Sequence, residues 1–114
     1  MHLIAVLKRE CETCKLVEPV LAQIRARTPL ELFCQDDPSF PESLGGSEDD
    51  TALDRSWQLK IDTVPTLIRY DGHREVDRIV GWDRAAWEKV ASQEGLGAGL
   101  PGFQPGCGSK THEP

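Results

Sequence analysis

Cys11-Glu12-Thr13-Cys14 is the segment whose residue types and spacing can do covalent chemistry. Two thiols with two residues between them can attack a disulfide and then close on each other. The thiolate is the reactive form of cysteine. A helix starting just after Cys11 places that thiol among unpaired backbone N–H groups, which favour its thiolate. Cys11 therefore reads as the more exposed nucleophile. Cys14, one turn on and more buried, reads as the thiol that resolves the mixed disulfide. Glu10 and Glu12 act against a thiolate, and Lys8, Arg9 and Lys15 partly offset them. Two other readings of the pair stand beside this one. It can be half a zinc site, completed by Cys34, Cys107 or His112. It can also belong to a redox-inactive binding or chaperone-like module.

Two more cysteines are accessory candidates. Cys34 closes an apolar run, Leu30-Glu31-Leu32-Phe33-Cys34, that reads as a strand. It is a core cysteine or a thiol near the dithiol, and the core is the better reading. Cys107 lies between Gly106 and Gly108, which allow close backbone approach. Counting extended chain, the segment after the last helix is long enough to bring Cys107 back to Cys11 or Cys14. It is either a third redox thiol, or part of a plug over the site, or incidental. Trp57 and Trp87 fall at core spacing on helices. Trp82 follows Gly81 at the dithiol edge and is placed in the substrate groove or over the hairpin. His2, His73 and His112 have no spacing that makes a site.

The elements that must position these residues follow from hydrophobic spacing. Leu3 to Leu7 is a continuous apolar run, as in a strand buried on both faces. Leu16, Val17, Val20, Leu21 and Ile24 follow helical spacing, predicting one helix from about Glu12 to Arg27, kinked at Pro19. Residues 35–50 read as an exposed acidic loop with little structure. From Ser47 the acids Glu48, Asp49 and Asp50 suit the start of a short helix to about Gln58. Thr66–Tyr70, the Asp71-Gly72 turn and Arg74–Val80 predict a hairpin. Asp83 caps a last helix that Gly95 closes. Residues 95–114 are rich in Gly and Pro and read as a mobile tail.

Composition narrows the classes. The chain has 114 residues and a formal net charge of -6, enough for one domain and too acidic to neutralise nucleic-acid phosphates. No segment is long and apolar enough to cross a membrane, and the opening apolar run is too short for a secretion signal. The chain reads as a cytoplasmic monomer without a cofactor. In a reducing compartment, cysteines in this number suggest redox or metal chemistry rather than structural disulfides.

The dithiol between a strand and a helix, with Val64-Pro65-Thr66 opening a later strand and Asp71-Gly72 and Gly81 after it, resembles the thioredoxin family. The likeness spans residues 2–94. It implies an α/β thioredoxin-like fold in a short β-α-β-α-β-β-α version. The four-stranded mixed sheet would have helices on both faces and strand order 2-1-3-4. It also implies a cis peptide bond between Val64 and Pro65, with both residues lining the substrate groove against the dithiol. The implied activity is thiol–disulfide exchange with a disulfide-bearing protein or a small thiol, served by some reductase. Three positions depart from thioredoxin: Glu10 in place of Trp, Glu12-Thr13 in place of Gly-Pro, and Ala5 in place of a buried acid. That family's usual reductase is therefore not implied.

Overall fold

The structure is a computed structural model and describes residues 1–111. Its centre is strand β1, His2–Leu7. Leu3 to Leu7 are all buried. Successive residues of a strand point to opposite faces, so both faces of β1 are covered. Strand β2 (Leu30–Cys34) pairs parallel with β1, setting Leu7 opposite Cys34. The dithiol segment and β2's end thus share one edge of the sheet.

The four-stranded layout with three helices is not what forms. The main sheet has five strands, and the described residues carry four α-helices. The added strand is β3, Glu48–Asp49, which pairs parallel with Phe33 and Cys34 at the sheet edge. The acids at 48–50 therefore extend the sheet rather than begin a helix. Asp50 still caps one: its carboxylate accepts the N–H groups of Arg55 and Ser56, at 2.9 Å each, in a helix that starts later. The additional helix comes from division of the first one. Helix α1 is Glu12–Leu16 and α2 is Glu18–Arg25. Pro19 has no N–H for the Lys15 carbonyl, so the chain breaks at Val17 and Pro19 opens α2. The others are α3 (Asp54–Gln58) and α4 (Arg84–Ala91).

After α3 come β4 (Thr63–Val64), β5 (Thr66–Asp71) and β6 (Arg74–Val80). β5 runs antiparallel to β1, and β6 antiparallel to β5. The main sheet runs β3-β2-β1-β5-β6. Trp82–Asp83 is β7, Phe103–Gln104 is β8 and Cys107–Gly108 is β9. These short strands make two further ladders, β7 with β8 and β4 with β9.

Two stretches expected to be loose are held down. In residues 35–50, the Arg9 guanidinium bonds Asp37 and Glu42 and lies 5.2 Å from the ring of buried Phe40. The segment after α4 is fixed by Arg84, which donates to the carbonyls of Leu96, Gly97 and Leu100. Gly97 has a positive φ of 64°, and a Cβ there would lie 2.9 Å from the Trp82 ring. Residues 95–111 are thus a strap laid back across the domain, not a free tail. Trp57, expected in the core, is 65% exposed. Leu53, expected there with it, is buried at the N-cap of α3.

Candidate functional site

Cys11 is the N-cap of α1, in extended conformation, and its Sγ accepts the Cys14 N–H at 3.2 Å. On another side the same sulfur lies 3.6 Å from the Val64 carbonyl oxygen. Val64 precedes Pro65 across a cis peptide bond, as the family likeness implied. A second cis bond, Phe40–Pro41, had no signal in the sequence. Val64 and Pro65 are both buried beside the dithiol.

The strap completes the site. In the β4–β9 ladder Cys107 is the register partner of Val64. Cys107 is thereby set beside Cys11, whose Sγ lies 3.6 Å from the Val64 carbonyl. Gly106 makes this approach possible: a Cβ there would stand 2.6 Å from the Val64 carbonyl and from Thr63 Cγ2. Thr13, inside the dithiol motif, fastens the same segment. Its hydroxyl donates to the Pro105 carbonyl at 2.6 Å and accepts from Gln104 Nε2 at 2.9 Å. Lys8 Nζ donates to the Gly108 carbonyl at 2.7 Å. Cys11 is consequently not the exposed thiol that its place at a helix start suggested. It is 3% exposed and Cys14 0%, whereas Cys107 is half-buried.

Electrostatics separates the three thiols. A hydrogen bond from the Cys14 thiol lowers Cys11 most. Burial opposes it, and the Cys107 thiol and the N–H groups of Cys14 and Thr13 add to the lowering, leaving Cys11 at about 6. Burial pushes Cys14 far up, helped by the bond it gives to Cys11 and by that sulfur's charge. Cys107 is raised by burial and by the bond it donates to Cys11. One thiolate thus sits among thiol donors and backbone N–H groups, and hydrogen bonds dominate over the flanking carboxylates.

Cys34 stands apart from this cluster. It is fully buried, its thiol donates to Asp36 Oδ1 at 3.3 Å, and burial raises it. Asp36 also accepts the N–H groups of Arg9 at 2.7 Å and Glu10 at 3.0 Å, so it fixes the turn that delivers Cys11. Trp82 does not form an open groove wall. It is fully buried, meets Trp87 edge-on at 5.3 Å, and donates from Nε1 to the Pro101 carbonyl at 2.6 Å, anchoring the strap.

Sequence reasoning missed Thr13, Gln35, Asp36 and Arg84. Only Gln35 carried a signal, as a polar residue directly after an apolar strand. It is fully buried and joins Ser56, Ser109 and the Lys110 N–H. Among the described residues no group of three or more His, Cys, Asp or Glu side chains is arranged to hold a metal ion. His112, one of the candidate zinc ligands, lies outside the described residues. No helix of the described residues is long and apolar enough to cross a membrane. No protein-family model matches the chain, and no curated protein matches it.

Proposed function

We propose that this protein is a thiol–disulfide oxidoreductase that exchanges a disulfide through Cys11 and Cys14 with a protein or small-thiol partner. The observation that carries this reading is the Cys11 sulfur, which caps α1, accepts the Cys14 N–H at 3.2 Å and lies beside the Cys14 thiol. A thiolate at about 6 is present at neutral pH, and a thiolate is what attacks a disulfide. Cys14 stays protonated until it is needed. Two of the causes that raise it, the bond to Cys11 and the Cys11 charge, disappear once Cys11 is in a mixed disulfide. Cys14 then loses its proton more readily, attacks Cys11 Sγ and expels the second thiol.

A relationship to the thioredoxin family belongs to the same proposal. It rests on the dithiol at a helix start and on Val64-Pro65-Thr66, while the five-stranded sheet lends it no support. A reducing compartment, which maintains free thiols, fits the four unpaired cysteines.

The test is a redox titration of the purified chain against glutathione buffers, with mass spectrometry of the quenched cysteines. A reversible two-electron transition that joins Cys11 to Cys14 supports the reading. The binding-module alternative predicts no such transition and the same partner affinity with the thiols reduced or alkylated. That outcome would replace the proposal.

A further inference from the structure

The strap puts a third sulfur where a substrate's would have to be. Cys107 is paired through its backbone with Val64, whose carbonyl lies 3.6 Å from Cys11 Sγ, so the strap brings Cys107 beside Cys11. The pair Cys11 and Cys14 is buried beneath this strap, and Cys107 is the one member of the trio with appreciable exposure. A bulky disulfide therefore meets Cys107 before it can meet Cys11.

We propose that Cys107 is a third redox residue, the thiol that takes up an external disulfide and passes it inward to Cys11. This rests on the oxidoreductase reading of the dithiol. The sulfur of Cys107 attacks a disulfide R–S–S–R, and its proton moves to the neighbouring Cys11 thiolate. One RS⁻ leaves and collects that proton as RSH, and Cys107–S–S–R remains. The restored Cys11 thiolate attacks Cys107 Sγ, forming Cys11–S–S–Cys107 and releasing the second RS⁻. That anion takes the Cys14 proton. Cys14 attacks Cys11 Sγ, forming Cys11–S–S–Cys14, and Cys107 leaves as a thiolate that water reprotonates. Two electrons have passed from the Cys11/Cys14 dithiol to R–S–S–R, giving two RSH, and Cys107 returns unchanged. After uptake, each step is an exchange between sulfurs that the strap and α1 hold close together.

The experiment uses the reduced full chain with glutathione disulfide at neutral pH, and follows formation of the Cys11–Cys14 disulfide by acid quench and mass spectrometry. Cys107→Ser keeps the β4–β9 ladder and should slow the reaction by about ten-fold or more, since the uptake thiol is gone while the cover stays. Gly106→Ala keeps the thiol but forces the strap off Val64, and it should also be slow. Cys14→Ser should accumulate a peptide joining Cys11 to Cys107. A Cys107→Ser chain as fast as wild type, a Gly106→Ala chain faster than wild type, or glutathione resident on Cys11 in Cys14→Ser would each overturn the relay and leave the oxidoreductase reading standing. A wild-type chain that forms no Cys11–Cys14 disulfide at all would remove both.

Discussion

Thr13→Val isolates the fastening of the strap from its chemistry. Valine matches threonine in shape, so packing at this 2%-exposed position is retained and the hydroxyl alone is lost. That hydroxyl makes two hydrogen bonds, to the Pro105 carbonyl at 2.6 Å and from Gln104 Nε2 at 2.9 Å. A neutral hydrogen bond contributes about 1 kcal/mol net, and the partners at Gln104 and Pro105 are open enough to water to be resolvated, so the closed strap should lose about 2 kcal/mol. At 1.4 kcal/mol per factor of ten, local opening becomes roughly 30 times more frequent. Native-state amide hydrogen exchange measures this directly. Exchange at β9 should accelerate by that factor, while β1, buried on both faces, should change little. If β1 and β9 accelerate together, the strap does not open as a separate unit. If β9 does not change, the Thr13 bonds do not hold it.

Alkylation of Cys11 by a small reagent should follow a titration centred near 6 rather than at the ordinary thiol value of 9.0. Cys107→Ala removes a hydrogen-bond donor to the thiolate, so the midpoint should move upward; an unmoved midpoint would place the Cys107 thiol out of reach of Cys11. In linkage terms a depressed folded pKa stabilises the fold above the unfolded value. The Cys11 contribution is therefore full at pH above about 9 and is lost as pH falls through about 6, with Cys14, shifted the other way, opposing it at high pH. Asp36→Ala should lower stability by about 1.5–3 kcal/mol in urea unfolding, since a charged acceptor of the Arg9 and Glu10 N–H groups is removed. Burial works to raise the Asp36 carboxyl, but those N–H donors outweigh it and hold it below the ordinary value. Its contribution should accordingly fade as pH drops through the acid range, and an Asp36→Ala loss equal at pH 3 and pH 7 would contradict this. Arg84→Met strips three carbonyls of their donor; proteolysis after α4 should rise without a matching change in exchange at β1.

Local patterning by itself determined the elements around the dithiol. An unbroken apolar run made β1 a central strand, Asp71-Gly72 marked the β5–β6 hairpin, and Cys11 before a helical period put the sulfur at a helix start. These are short-range effects, in which spacing and turn chemistry act within a few residues. What lay beyond reach depended on partners distant in sequence. Glu48–Asp49 looks like a helix start and becomes a strand because the edge of β2 offers unpaired backbone groups. The Gly- and Pro-rich segment looks like a tail because it has no periodicity to bury. It is held instead by backbone ladders, by Arg84 and Trp82 meeting its carbonyls, and by close approach at Gly106. The glycines around Cys107 made it a candidate for the site, and tertiary structure decided among the alternatives, setting it opposite Val64 and covering Cys11. The ladder that sets residue 107 opposite residue 64, next to residue 11, pairs backbones far apart in sequence, which no local pattern encodes.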